Sequence, residues 1–239
     1  MPDSAVQQQP AAPSADSHAP RHTLTVRVTH WITVACFLAL LISGCELVIS
    51  HPRFYWGETG NVGMAPLFSF HIPSSRGTVP TGYKYVLPDQ NGWSRYLHFQ
   101  SAWIAVLTGL VYALSSLVTG HLRRNLLPRA GLSLRALRPD PADAHSYNPL
   151  QRVTYLFVIF GLFPLVIWTG LAMSPAFDSA VPAAVNLLGG RQSARTLHFF
   201  VSAALVIFLL VHLAMVWLAG FRIRVGAMIT GRAVQQEDQ

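Results

Sequence analysis

Four long apolar runs, Trp31 to Ile49, Phe99 to Val118, Val153 to Met173 and Phe199 to Leu218, decide what this chain can fold into. Each approaches the length of about 20 residues that a helix needs to cross the hydrocarbon of a bilayer. In lipid every backbone N–H and C=O must find its partner within the segment, so the runs must be helical. They also lack the two-residue alternation of a membrane barrel. Only 11% of the 239 residues are charged, too few to coat a soluble protein of this size. The expected fold is all-α: an integral membrane four-helix bundle.

The remaining residues set the topology. Residues 1–21, rich in Gln, Ala, Pro and Ser, lack the basic and apolar regions of a signal peptide and read as a disordered tail. The bundle is expected over 22–230, with a short C-terminal tail at 231–239. The net charge of +7 does not point to nucleic acid, because the basic residues flank the runs instead of gathering on a soluble face. Eleven of the seventeen Lys and Arg fall on the side that holds both ends of the chain and the linker between spans two and three, which places both termini in the cytoplasm. The outer connection between spans one and two, about 50–97, has five prolines, six glycines and many aromatic residues. Such a segment either folds back over the bundle, meets a partner or forms an interfacial aromatic belt. Cys36 and Cys45, nine residues apart on one helix, are separated by about 13 Å and cannot form a disulfide.

Against this apolar background the histidines stand out. Three times an arginine precedes, by three residues, a histidine followed by an aromatic: Arg27/His30/Trp31, Arg95/His98/Phe99 and Arg195/His198/Phe199. A fourth, His212, follows His198 by fourteen residues, two heptads, so both project from one face about 21 Å apart. Metal-binding side chains in a span are costly and face the bundle interior. The spacing suits two haems stacked across the membrane, each held by a histidine on the last span and one on another span. Spans two and four enter from outside, which pairs His98 with His198. Span one enters from inside, which pairs His30 with His212. His212 lies about 9 Å from the end of its run while His30 opens its own, a mismatch that tilt or a helix continuing past Leu218 would absorb.

The arginines, one turn nearer water than the histidines, suit haem propionates, whose carboxylates accept forked charge-assisted hydrogen bonds from Arg27, Arg95 and Arg195. Snorkelling to lipid headgroups is the plainer alternative. Gly44, fourteen residues after His30, falls at the depth of the outer haem and leaves room for a macrocycle, although helix packing would also use it. Glu46, late in span one, is an interfacial residue near that haem or a proton carrier. No C-x-x-C-H sequence occurs, so the haems are held by ligation alone, as in a b-type cytochrome. Two histidines per iron leave no open position, which points to electron transfer and to no catalytic residue in this chain.

These positions, His30, His98 and the His198-x13-His212 pair, resemble the bacterial cytochrome b561-like superfamily, which includes the cytochrome b subunits of nickel-iron hydrogenases and formate dehydrogenases. Within it the chain is similar to the thiosulfate reductase cytochrome b-like branch, through the string from His51 to Glu58, Asn148-Pro-Leu-Gln-Arg152, and Thr169-Gly-Leu-Ala-Met-Ser-Pro175. The resemblance implies a subunit of the bacterial cytoplasmic (inner) membrane that relays electrons between the quinone pool and an oxidoreductase outside that membrane, a molybdopterin enzyme. It also implies quinone or quinol as an exchangeable substrate near the inner haem, where Asn148, Gln151, Arg152 and Tyr155 offer polar groups. Capping and interfacial anchoring account for the same four residues. Two other readings are a self-contained quinone-linked reductase of an external acceptor, such as ferric chelate or superoxide, and a carrier or plain anchor with incidental histidines.

Overall fold

The first helix, α1 (Leu24–Ser50), starts seven residues ahead of the apolar run that announces it. Thr23 supplies the start: its extended backbone and hydroxyl, which accepts from the Val26 N–H at 3.4 Å, form an N-cap. At 27 residues α1 is about 40 Å long, enough to cross the hydrocarbon with turns to spare. The computed structural model describes residues 23–61, 63–71, 90–120, 154, 156–218 and 220–231. Among these, three helices are long and apolar enough to cross a membrane: α1, α2 (Gln90–Val118) and, later in the chain, Arg191–Leu218.

The third apolar run gives a shorter apolar helix, Val158–Ala172. Its first turn, Val158–Leu162, is a π-helix that runs into α3 (Phe163–Ala172). Pro164 explains the change. Without an N–H it cannot serve the Phe160 carbonyl four residues back, and the register slips, so that the Phe163 N–H bonds to Val158 five residues back. Two short helices, α4 (Pro175–Ala180) and α5 (Pro182–Leu187), fill the second outer connection. They lead into α6 (Arg191–Leu218).

Among the described residues α6 ends at Leu218. The chain turns at Gly220, whose φ of +93° suits glycine, into α7 (Phe221–Thr230). Among the described residues α6 is not extended, while α1 begins earlier than its apolar run. Because α1 begins at Leu24, His30 lies six residues inside it, just as His212 lies six residues inside the end of α6, each about 9 Å in.

The helices associate in two pairs, α1 along α2 and α3 along α6. Their outward faces are apolar and open, as Leu107, Leu110 and Leu114 on α2 illustrate, which is how helices present themselves to lipid. The described part of the long outer connection, 51–71, folds back over the bundle. It adds two short antiparallel strands to the helices of the described residues, β1 (Arg53–Phe54) and β2 (Phe68–Ser69), in register Arg53 with Ser69 and Phe54 with Phe68. Phe54 and Phe68 stack at 4.6 Å and pack on Phe199 of α6.

Between the two strands the loop caps α6. The Glu58 carboxylate accepts from the Arg191 N–H at 3.0 Å, the Gly57 carbonyl accepts from the Gln192 and Ser193 N–H groups, and the Gly57 N–H donates to Ser193 Oγ at 2.7 Å. Three orphan N–H groups of the helix and its positive dipole end are satisfied from one short stretch of loop. Gly190, at φ +100°, lets the chain pass: a Cβ there would stand 2.8 Å from the Glu58 nitrogen. Replacing Glu58 by alanine is expected to cost about 1 kcal/mol, the usual worth of a helix cap. Thermal unfolding in detergent should show the loss, and an unchanged midpoint would contradict the capping role.

At the opposite end α7 lies against the start of α1. Arg27 donates from Nη2 to the Ile229 carbonyl, and Trp31 Nε1 donates to the Met228 carbonyl at 3.3 Å. A cation among the last carbonyls of a helix is well placed for its dipole. The start of α1 and the end of the described chain therefore share one end of the bundle.

Candidate functional site

His98 of α2 and His198 of α6 face each other across the two helix pairs, with ring centroids 6.2 Å apart and planes crossed at 63°. Two imidazoles on opposite sides of one metal, with metal–nitrogen bonds of about 2 Å, put their ring centres about 6 Å apart. Both rings are tethered through Nδ1. Ser43 Oγ lies 3.0 Å from His98 Nδ1, and Thr169 Oγ1 lies 3.1 Å from His198 Nδ1. Each hydroxyl also donates to the carbonyl four residues back on its own helix, Ser43 to Ala39 at 2.7 Å and Thr169 to Leu165 at 2.8 Å. Both side chains are fully buried.

A glycine follows each hydroxyl. A Cβ on Gly44 would meet His98 Cε1 at 3.7 Å, and a Cβ on Gly170 would meet His198 Cε1 at 3.3 Å. Gly44 thus lies beside the His98/His198 pair, and the group nearest to it is an imidazole. The sequence reading gave Ser43 no role and used Thr169 and Gly170 only within the string that carries the family resemblance. The available signal was a Ser-Gly in span one and a Thr-Gly in span three, and nothing in one sequence joins those dipeptides to histidines 55 and 29 residues away.

Four helices therefore build one site: α2 and α6 bring the imidazoles, α1 and α3 the hydroxyls and the space. Among the described residues no group of three or more His, Cys, Asp or Glu is gathered to hold a bare metal ion. A porphyrin supplies four nitrogens itself and asks the protein for two axial ligands, so two opposed imidazoles with outward-tethered Nδ1 atoms fit that group.

At the other depth, His30 makes an edge contact with Trp31 at 5.3 Å, and His212 lies along Phe208 at 6.0 Å and 26°. Each of these two histidines stands six residues inside an end of its helix, His30 after the start of α1 and His212 before the end of α6. Asn148, Gln151, Arg152 and Tyr155 lie outside the described residues, as do the tails and the linker from 121 to 153. Glu46 is half-buried, with one carboxylate oxygen enclosed and without a hydrogen-bond partner.

The three arginines divide. Arg27 is engaged with α7, as described above. Arg95 and Arg195 converge on His51, the residue that ends α1. Arg195 Nη2 donates to the His51 carbonyl, and Arg95 Nη2 stands 3.5 Å from His51 Nε2. Arg195 also sits over the Phe54 ring at 5.1 Å. Burial, reinforced by the positive charges of Arg195 and Arg95, holds the His51 imidazole below its usual range.

The neutral form of His51 is thus favoured in the fold. Its contribution to stability is present above the ordinary histidine value of about 6.5 and is lost as the pH falls below it. Thermal stability in detergent is expected to fall on acidification through about pH 6. His51→Gln, which keeps an acceptor but does not titrate there, should flatten part of that slope. An unaltered slope would contradict the role given to His51.

Comparison with known proteins agrees with this geometry. A family model described as prokaryotic cytochrome b561 matches residues 21–231. A protein of Azospira oryzae named "Putative protein-methionine-sulfoxide reductase subunit YedZ1" is 31% identical over 205 residues, covering 82% of this chain and 89% of its own length. No solved structure matches. Long apolar helices, paired imidazoles between them and a family match over almost the whole bundle lead to one conclusion: this multi-pass membrane chain belongs to the prokaryotic cytochrome b561 family of b-type haem electron-transfer proteins.

Proposed function

We propose that the chain holds two b-type haems, one on His98 and His198 near the outer face and one on His30 and His212 near the inner face, within a bundle of four transmembrane helices whose termini are cytoplasmic. The observation that carries the outer site is the opposed His98/His198 pair with both Nδ1 atoms tethered. For the inner site, the support is that His30 and His212 each stand six residues inside an end of their helices, α1 and α6. A haem with two imidazole ligands exchanges single electrons and has no open position for oxygen or peroxide.

The protein's own contribution is placement. His198 and His212 on one helix face set two sites about 21 Å apart along the axis, a spacing that spans most of the hydrocarbon. The apolar helices exclude water from both. Arg95 and Arg195, converging at the outer end, put two positive charges where the carboxylates of the outer haem would reach.

The complete relay runs between the quinone pool and an oxidoreductase outside the cytoplasmic membrane, by family resemblance a molybdopterin enzyme. That the Azospira relative bears the name of a reductase subunit favours a chain that serves a partner over a self-contained reductase. The exchangeable quinone belongs near the inner haem, with Asn148, Gln151, Arg152 and Tyr155 as its candidates.

Stopped-flow mixing of the purified protein with a quinol tests the assignment. Haem reduction in the parent, with the outer haem left oxidised in His212→Ala, is the expected result. Sustained turnover of ferric chelate or superoxide by the isolated chain would overturn the subunit reading.

A further inference from the structure

The opposed histidines of the outer site are not held symmetrically by chance packing. Each is bonded through the same ring atom to a fully buried hydroxyl on the neighbouring helix, and each hydroxyl is followed by a glycine that leaves space for the ring. We infer that Ser43 and Thr169 are positioning residues that fix the tautomer and rotation of the two imidazoles and thereby set the electronic character of the outer haem. This inference rests on the di-haem reading above and adds to it two residues and a device.

The reasoning is a matter of counting protons. A serine or threonine hydroxyl has one proton to donate. Ser43 lies 2.7 Å from the Ala39 carbonyl and Thr169 lies 2.8 Å from the Leu165 carbonyl, with Leu40 and Val166 as longer second acceptors at 3.2 and 3.1 Å. A hydroxyl that gives its proton to one of those carbonyls presents only lone pairs to the imidazole and accepts from Nδ1–H, and the Leu40 and Val166 carbonyls stand by the same rings as further acceptors. Each neutral ring then carries its proton on Nδ1 and presents the Nε2 lone pair, the form that an axial ligand requires.

Rotation follows from the same contacts. With Nδ1 anchored to a hydroxyl and space left at Cε1 by the glycine, the rotation of each ring is set, and the crossing of 63° between the planes becomes a built property of the site. Hydrogen bonding from Nδ1–H also makes the ring a more basic ligand, which favours ferric over ferrous iron. Ser43 and Thr169 would therefore lower the midpoint potential of the outer haem relative to an untethered pair.

The test compares Ser43→Ala and Thr169→Val with the hydroxyl-keeping swaps Ser43→Thr and Thr169→Ser, in the full-length haem-loaded protein. Three readouts are taken: haem per chain, the low-spin ferric electron paramagnetic resonance spectrum, and the potentiometric titration. Removing a hydroxyl is expected to raise the outer midpoint, change the anisotropy of one of two low-spin signals, and weaken outer haem retention by about 10- to 100-fold, the usual effect of losing a ligand's hydrogen-bond partner. The swaps should return parental behaviour. Outright loss of one haem in Ser43→Ala or Thr169→Val, restored in the swaps, would support the inference equally. Two retained haems with unchanged spectrum and potential in the hydroxyl-less variants would overturn it, as would equal damage from the swaps, which would mean that shape and not the hydroxyl matters. A parent with no haem would instead refute the di-haem reading itself.

Discussion

Replacing His198 by alanine is expected to remove one of two haems and leave the other spectrally intact, and replacing His98 is expected to give the same product. The two histidines come from different helices and are 100 residues apart, yet their rings stand 6.2 Å from each other. A shared iron makes their losses equivalent. Removing one ligand deletes an axial bond, so outer haem affinity should drop by more than about 100-fold, beyond the cost of losing an outer-shell partner. His30→Ala and His212→Ala form the complementary set, each sparing the outer haem. The readout is the pyridine haemochromogen stoichiometry of each purified variant together with its reduced-minus-oxidised spectrum. If His98→Ala kept both haems while His198→Ala lost one, the pairing would be wrong even though haem binding itself survived.

Bulk at Gly170 is expected to do nearly as much damage without touching a ligand. A Cβ there meets His198 Cε1 at 3.3 Å and Nδ1 at 3.6 Å, tighter than most side-chain contacts but within what a small shift of the ring can absorb. Gly170→Ala should therefore keep the haem, with a modest change in spectrum or potential. Gly170→Leu cannot be absorbed in the same way. Its side chain must displace the His198 ring, break the bond to Thr169 and expel the outer haem, while the inner haem stays. Gly44 supplies the internal control, because a Cβ there would sit at an ordinary 3.7 Å from His98 Cε1, so Gly44→Ala should behave as the parent. Haem content of the four proteins decides the matter. Full occupancy of both haems in Gly170→Leu would show that the imidazole is not confined as described.

The histidines and the long helices could be read from the sequence because membrane physics makes both conspicuous: apolar runs must be helical, and an imidazole inside one needs a reason. The helix ends were less visible. Beyond the apolar run α1 continues through Leu24–His30 in residues that a hydropathy argument treats as boundary, so His30 stands six residues inside its helix and not at its start. The π-turn before Pro164 was hidden for a different reason. Proline signals a defect, but whether the helix breaks, kinks or absorbs it as a bulge depends on local packing.

The residues around the outer pair were the hardest to see. Nothing in the sequence marks Ser43 or Thr169, whose hydroxyls bond to their own helices, and only the approach of a neighbouring helix reveals a second partner. Likewise the string from His51 to Glu58 signalled kinship, while its work is spatial: His51 receives two arginines, Phe54 packs on Phe199, and Gly57 and Glu58 cap α6. The outer connection thus locks the entry of α6, and with it His198, to the end of α1.

The most direct test of the account is the number of haems per chain in the purified parent protein, measured together with its redox titration. Two b haems per polypeptide, titrating as two one-electron components, are predicted. A chain that carried no haem, or a single haem that survived substitution of both His98 and His198, would contradict the proposal that these helices hold two irons in series.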